Sequence, residues 1–543
     1  MKLLVCSCPE FAFDLPEVVR QLGDAGWLAH LAPPLCTPGG LKQASILLGK
    51  PGNWLLAACE AAGRARLFRH LRKEPRVIDL RGCAAPEEAV GVILPALEGA
   101  EAPPRATLPL QQAVLVIGGG VGGCQAALDL AQAGCQVFLA DSSLSIGGAM
   151  AQLDKTFPTL DCSICILGPK LVEVSTHERI ELLTYVQIEK ISGQAGSFQV
   201  DVTLKPRYVD MRKCVGCGAC AEVCPVIVPS RWNLGLKPRK CIRIIFEQSV
   251  PLRSTIEKEF CIDCRMCAGA CDRGAIKLED APRSRRLEVG AIVLATGARP
   301  FDPSIKSEYG YGRIPAVITN LEYERLICAT GPTQGSLITA RGREAKSLAF
   351  IQCVGSRDRR FLPYCSGYCC TASIKEAMIA LEHHPDAEVA IFYNDIRTSG
   401  KGFEELLRRA RRAGVRFVKG LPGLIREDAD GRAVVCYEDL VRGGRRKLAV
   451  DLVVLAVGLQ ALSELLPFQD VPPERDAHGF YRTKHPILHP LESATPGVFL
   501  AGTSQGPKDI SETVCQASGA AARVMAMFAA PKKSLLKYGP STA

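Results

Sequence analysis

Short apolar runs closed by glycine punctuate the chain from residue 113 onward. Residues 113–117 read A-V-L-V-I and enter G-G-G-V-G-G at 118–123. A continuous apolar run bounded by a glycine turn predicts a strand buried on both faces. An amphipathic pattern over 124–133 predicts the helix that follows, and 136–140 a second strand that ends at Asp141. The strand-into-glycine signature returns at 289–298, with Thr296 and Gly297 in its turn, at 450–460, and at 497–502, which closes on Gly502. A small-residue helix is expected to about residue 530, opening on the stretch that holds Lys508 and Asp509. Between these lie predicted strands at 348–355, 389–393 and 415–418 and helices at 371–381 and 402–413. Ahead of residue 113, strands are expected to end at Val5, Ala58 and Leu80, which predicts a small α/β domain over residues 1–110.

The first glycine turn carries the register Gly118, Gly120 and Gly123, with Asp141 lying 23 residues past Gly118. In a strand–turn–helix setting this is a dinucleotide fingerprint: the glycines admit a pyrophosphate to the helix N-terminus, and the acid accepts from ribose hydroxyls. A second glycine pair, Gly147 and Gly148, follows the acid and suits FAD rather than a nicotinamide. The start of the last helix is expected to approach the flavin ring. The FAD half-domain is thus expected from 111–204, 285–325 and 450–531, with 205–284 inserted into it and 532–543 as a tail. Residues 326–449 form a second α/β domain of the NAD(P)H-binding kind, but its first turn reads C-V-G-S-R-D, which breaks the glycine rule and weakens a direct nicotinamide reaction.

The inserted stretch changes the picture most. Cys214, Cys217, Cys220 and Cys224, then Cys261, Cys264, Cys267 and Cys271, each read C-x2-C-x2-C-x3-C, and Pro225 closes the first set. That is the spacing of thiolate ligands to two [4Fe-4S] clusters, in which the fourth cysteine of each run reaches the other cluster. Cys214, Cys217, Cys220 and Cys271 are therefore assigned to one centre, and Cys261, Cys264, Cys267 and Cys224 to the other. Zinc also takes C-x2-C pairs, but four sulfurs suffice for it. Two further sets are open on spacing alone. Cys353, Cys365, Cys369 and Cys370 are a third cluster or buried thiols. Cys8, Cys36, Cys59 and Cys83, with Cys6, are a fourth cluster at strand ends or free buried cysteines.

The 543 residues hold 25 cysteines, and the first residues carry no secretory pattern, so metal or redox use is expected over disulfide stapling. No apolar run reaches membrane-spanning length, which makes a cytoplasmic location the expectation. The net charge of +10 collects at Arg408, Arg409, Arg411 and Arg412 and at Arg442, Arg445, Arg446 and Lys447. These read as a solvated helix face and a hairpin around Gly443 and Gly444, or as a surface for an acidic partner protein. No nucleic-acid recognition motif accompanies them. The 8 histidines show no ligand or triad spacing.

Longer strings carry a family resemblance. G-G-A-M-A-Q-L-D-K-T-F-P-T-L-D-C-S-I-C-I-L-G-P-K at 147–170, Q-C-V-G-S-R-D at 352–358, P-Y-C-S-G-Y-C-C at 363–370, F-Y-N-D-I-R at 392–397 and G-P-K-D-I at 506–510 resemble the A-type subunit of heterodisulfide reductase, over about residues 111–530 and more loosely before them. The resemblance implies an α/β, two-dinucleotide-binding-domain flavoprotein of thioredoxin-reductase-like fold, with an inserted two-cluster ferredoxin domain and a small N-terminal α/β domain. It implies FAD and three or four [4Fe-4S] clusters, Cys353, Cys365, Cys369 and Cys370 as a third ligand set, and Lys375 as a lysine beside the flavin, against a solvated helix lysine. Cys162 and Cys165 stay open as ligands, redox thiols or packing.

The implied function is electron transfer, with bifurcation at FAD possible, inside a complex with heterodisulfide-reductase B- and C-like subunits. A hydrogenase-, formate- or NADH-linked donor is implied, and a homodimer is possible. Beside the longer members, the N-terminal domain is expected to be short and altered, and their C-terminal ferredoxin-like domain is expected to be missing after Ala543. The alternative is a stand-alone NAD(P)H-dependent flavin oxidoreductase of a small molecule.

Overall fold

The apolar runs fold as strands of parallel sheets. The computed structural model describes residues 111–529 and, before them, residues 2–6, 18, 20–21, 29–32, 54–57, 76–78 and 93. Two units are separated, Met1–Thr107 and Leu108–Ala543. In the first, β1 (Lys2–Cys6), β2 (Ala29–Ala32), β3 (Trp54–Ala57) and β4 (Arg76–Ile78) pair in parallel in the order β2-β1-β3-β4. The strands expected there are present. Cys8, Cys36, Cys59 and Cys83 lie outside the described residues.

In the second unit β5 (Ala113–Ile117) turns into α1 (Val121–Gln132), and β6 (Gln136–Asp141) returns beside it. The helix begins three residues earlier than its amphipathic pattern, because the last glycines of the turn are themselves its first turn. Then follow α2 (Ser163–Thr176), β7 (Ile180–Thr184), and a meander of β8 (Val186–Gln194), β9 (Ser197–Leu204) and β10 (Arg283–Val289) before β11 (Ala291–Leu294). Val114 and Val116 face α1, while Leu115 and Ile117 face the meander side, so both faces are buried and the run has no polar alternation.

The next stretch builds a second sheet from β12 (Val317–Thr319), β13 (Ser347–Val354), β14 (Glu388–Tyr393), β15 (Arg416–Lys419) and, after a hairpin region of β16 (Leu424–Glu427), β17 (Ala433–Glu438) and β18 (Arg445–Val450), β19 (Leu452–Val457). Its order is β12-β19-β13-β14-β15, all parallel. Helices α3 (Asn320–Ile327), α4 (Cys369–His383) and α5 (Phe403–Arg412) accompany it. The chain returns to the first sheet with β20 (Thr483–His485), β21 (His489–Ser493) and β22 (Val498–Leu500) and closes on α6 (Ile510–Ala529). The first sheet reads β20-β21-β22-β11-β5-β6-β7.

One expectation is corrected here. The sequence pattern places residues 317–319 and 452–457 in the FAD half-domain, but both strands belong to the second sheet. A strand buried on both faces has the same apolar composition in either sheet, so the pattern cannot tell which one it joins. The arginine-rich helix and the Gly443–Gly444 turn are where they are expected, with Arg408, Arg409, Arg411 and Arg412 exposed and Glu438 paired with Arg445 across the hairpin.

The stretch between β9 and β10 leaves and re-enters through neighbouring antiparallel strands, with Leu204 opposite Arg283. Its core is small: Val209, Cys220, Cys241, Ile242, Ile256, Cys267 and Ala275. It rests against the rest of the unit where Ile146 pairs with Val250, where Gln152 Nε2 donates to the Trp232 carbonyl (2.8 Å), and where Arg325 Nε donates to Asn233 Oδ1 (3.0 Å). Among the described residues no helix is long and apolar enough to cross a membrane.

Candidate cofactor sites

Three glycines of the first turn do three different things. A Cβ on Gly118 would stand 2.2 Å from the Ala295 carbonyl oxygen, and φ there is +109°. A Cβ on Gly123 would stand 1.7 Å from the Gly118 carbonyl oxygen, so the helix can pack on the strand only with glycine. A Cβ on Gly120 would meet nothing nearer than the Gly148 Cα at 4.0 Å. The space over the middle glycine is thus open, as a pyrophosphate needs at a helix N-terminus. Gly147 N donates to the Gly119 carbonyl (2.7 Å), which brings the second glycine pair onto the first.

Asp141 serves the loop itself: Oδ2 accepts from Gly119 N (2.5 Å) and Oδ1 from Ser143 N (2.6 Å). Thr296 and Gly297 follow β11, with Thr296 beside Gly118, and the Thr513 methyl lies under both Gly122 and Gly502. The parallel strands β5, β6, β11 and β22 therefore deliver all these groups to one carboxyl edge, the place where open α/β sheets bind ligands. Asp509 is committed to a cap of α6. Its Oδ1 accepts from Glu512 N (2.8 Å) while Glu512 Oε2 accepts from Asp509 N (3.0 Å). Burial pushes the Asp509 carboxyl up and the neighbouring Lys508 ammonium down.

The glycine geometry gives a direct expectation. Gly123→Ala should lose flavin together with the fold, because its methyl has backbone on the far side. Gly120→Ala should fold and lose flavin alone. Circular dichroism and flavin content of the two purified variants check this; equal behaviour would remove the distinction between a packing glycine and a ligand-facing one.

In the inserted stretch cysteines of both runs lie in or against one small core. A small pocket is lined by Cys224 together with Cys261, Cys264 and Cys267. Burial pushes the Cys220 thiol up, and Cys214, Cys217 and Cys271 lie close enough to push it further. Among the described residues, no three His, Cys, Asp or Glu side chains are gathered as a ready site for a metal ion. Sequence reasoning missed Cys241, a buried thiol in the wall of the same cavity, whose Sγ donates to the Glu257 carbonyl (3.2 Å). Burial and the nearby Cys261 and Cys224 push it up to about 11. It stands outside the C-x2-C spacing, so no motif signals it.

The third set lies at one end of the second sheet. Cys353 ends β13, Cys369 and Cys370 open α4, and Cys365 lies between them. Burial pushes the Cys369 thiol up strongly, followed by Cys353, Cys370 and Cys365. This is the carboxyl edge of the second sheet, where a nicotinamide nucleotide would be held in a two-nucleotide protein. There the turn is filled instead: a Cβ on Gly355 would lie 2.4 Å from the Phe301 ring.

Lys375, on α4, is only 2 % exposed, so the solvated-lysine alternative does not hold. Its Nζ is paired with the Glu324 carboxylate, itself 1 % exposed, and donates to the Lys155 carbonyl (3.0 Å) on the segment that follows the second glycine pair. Glu324 Oε2 accepts from Asp154 N (2.9 Å). Burial, then the charge of Glu324, raises the carboxyls of Asp154 and, much more strongly, of Glu376. Sequence reasoning missed this acidic group. L-E-Y-E-R-L has the look of a solvated helix, and only the sheet and the insert packed around α3 bury it.

Two nucleotide-type parallel sheets, one with an open glycine turn and one with its turn filled, define a two-dinucleotide-domain oxidoreductase fold. The profile of the pyridine nucleotide-disulphide oxidoreductase family matches residues 112–325. An iron-sulfur A-type subunit of CoB--CoM heterodisulfide reductase from Methanopyrus kandleri is 44% identical over 559 aligned positions, covering 96% of this chain and 83% of that protein. A protein of Archaeoglobus profundus, described as like the A-type subunit of heterodisulfide reductase, is 38% identical, covering 98% and 82%. The chain belongs to the family of heterodisulfide reductase A-type subunits. The A-type subunit of the H(2):CoB-CoM heterodisulfide,ferredoxin reductase of Methanothermobacter marburgensis is 46% identical over 424 positions, and there the chain spans 63% of the relative's length. Among solved structures, T. acidophilum thioredoxin reductase aligns with a TM-score of 0.45 at 12% identity, over 77% of this chain and 100% of that one.

Proposed function

We propose that the chain is a flavin- and iron–sulfur-dependent electron-transfer subunit of a heterodisulfide-reductase-like complex. The observation that supports this is that both cysteine runs meet in one small core inserted into a flavoprotein fold, with Cys224 lining a pocket beside the second run. Bound FAD would supply two-electron and one-electron redox chemistry, and [4Fe-4S] clusters one-electron steps. Gly118, Gly120, Gly123, Gly147 and Gly148 would cradle the dinucleotide. Thr296, Gly297 and Gly502 would border it, with Lys508 at the start of α6.

The first cluster would be held by Cys214, Cys217, Cys220 and Cys271, the second by Cys224, Cys261, Cys264 and Cys267. Cys353, Cys365, Cys369 and Cys370 would hold a third, and the N-terminal Cys8, Cys36, Cys59 and Cys83 are proposed for a fourth. The insert would behave as a ferredoxin domain. Its core of seven residues, three of them cysteine, is too small to be stable on apolar burial alone, as is usual for metal-stabilised modules. Lys375 would hold positive charge near the flavin, tempered by Glu324. Phe301 against Gly355 argues against a second nucleotide and hence against a stand-alone NAD(P)H oxidoreductase. Partner subunits of the B and C kind, with a hydrogenase-, formate- or NADH-linked donor, would complete the route, and bifurcation at FAD belongs to the same reading.

Anaerobically purified protein should contain one FAD and about 12 to 16 iron atoms with matching sulfide, the count for three or four cubane clusters. Flavin-free protein, or protein holding zinc in place of iron, would overturn the reading.

A further inference from the structure

Two polar side chains buried beside the third cysteine set stand without a partner. Both side-chain amide atoms of Gln352 and the hydroxyl of Ser373 make no hydrogen bond among the described residues, and both residues are 0 % exposed. Gln352 lies on β13. The alternate residues Leu348 and Phe350 of that strand pack in one core with Ile374 and Ala377 of α4, while Ala349 and Ile351 pack in another. Gln352 continues the α4-facing row towards the carboxyl edge, about 7 Å beyond Phe350. β13 runs between β19 and β14. At that edge Cys369 Sγ lies 3.7 Å from the Val457 carbonyl oxygen, at the end of β19, and Cys370 Sγ lies 3.6 Å from the Asp395 carbonyl oxygen, just past β14. The two sulfurs thus stand either side of the strand that carries Gln352 and Cys353. Ser373 follows Cys369 and Cys370 by one turn of α4, on their face.

An amide and a hydroxyl left unpaired in the interior destabilise a fold, so native proteins seldom keep them. The sulfurs of an iron–sulfur cluster are acceptors for such donors. We propose that the Gln352 side-chain amide and the Ser373 hydroxyl donate hydrogen bonds to the sulfurs of a cluster held by Cys353, Cys365, Cys369 and Cys370, and thereby raise its reduction potential. The inference rests on the proposed assignment of those four cysteines as ligands. Neither residue is itself a ligand; both are positioning residues. An added electron makes the sulfurs more negative, and a donor aimed at a sulfur stabilises the more negative state more strongly. Each donor therefore shifts the couple upward, and its removal shifts the couple downward.

The test is a redox titration of the intact, anaerobically purified protein, followed by electron paramagnetic resonance. The signal that disappears in Cys369→Ser belongs to this set. Gln352→Met keeps the volume and removes the donor, and Ser373→Ala removes the hydroxyl. Both variants should keep that signal and the wild-type iron content. In each, the ratio of reduced to oxidised cluster at a fixed potential should fall about tenfold, a downward shift of about 59 mV for a one-electron couple. Ser373→Thr, which keeps a hydroxyl, should restore the wild-type potential. After exchange into heavy water, Gln352→Met and Ser373→Ala should each lose a deuteron coupling in the pulsed spectrum of this signal. Unchanged potentials, the result if internal water pairs with these groups instead, would overturn the proposal, as would loss of iron from both variants. If Cys369→Ser keeps every signal and all its iron, the ligand assignment of the third cysteine set falls, and the proposal with it.

Discussion

Lys375→Ala will destabilise the protein by about 3–5 kcal/mol, the usual cost of leaving one partner of a buried ion pair without the other. The Glu324 carboxylate would remain in the interior with its strongest partner gone, beside Glu376, whose carboxyl burial and the charge of Glu324 push well above its usual range. The Lys155 carbonyl would lose its donor as well. A fold left intact by this substitution is what a flavin-side lysine exposed in a cleft would give; the buried pair reverses that outcome. The double variant Lys375→Met with Glu324→Gln should recover most of the loss, because it removes both charges and keeps similar volumes. Thermal unfolding of the three proteins decides. If the single variant melts within a degree or two of wild type, the pair does not stabilise the fold. If the double variant is as unstable as the single, volume rather than charge is responsible. With folding controlled in this way, a shift of the flavin potential in the double variant to lower values would show the charge acting on the flavin.

The second large effect concerns which cysteine serves which cluster. Cys271→Ser should give the same electron paramagnetic resonance change as Cys217→Ser, and Cys224→Ser the same change as Cys264→Ser. Each should lose or convert one cluster, on the order of four iron atoms. The pairing is the one proposed from the cysteine spacing, and Cys224 lining the pocket of the second run supports it. A run-by-run arrangement predicts the opposite match, Cys224 with Cys217, so the spectra separate the two without any activity measurement. Cys241→Ser should keep both clusters, because the thiol lines the cavity wall but is spoken for by the Glu257 carbonyl.

The strands and turns were legible because a two-sided buried strand entering glycine leaves a strong local signal. Ala113–Ile117 and Gln136–Asp141 fall where the pattern puts them. The eight-cysteine spacing is legible as a pattern in its own right, because cluster ligands sit at fixed short intervals, and it carries the cluster proposal from sequence alone. What local pattern cannot carry is which sheet a buried strand joins, and Leu452–Val457 went to the second sheet on long-range pairing alone. It also cannot carry burial of charge. Glu324, Arg325 and Glu376 look like helix surface until the insert supplies Asn233 and Trp232 against Arg325 and α4 supplies Lys375. Gln352 is a further case, fully buried just before Cys353, with both side-chain amide atoms lacking a partner among the described residues.

Leu204 opposite Arg283 has a consequence for how such a chain could have arisen and how it matures. Closing a flexible segment between these two partners costs entropy that grows only slowly with its length, by about 0.6 kcal/mol per doubling. The scaffold can therefore complete β9 and β10 around a long insert at a modest cost above that of a short turn. On the proposed reading, the cysteine-rich module can then gain its order from iron and sulfide. A transplantable accessory of this kind could be acquired or lost in one genetic event, without re-registering a single strand of the sheet that carries it.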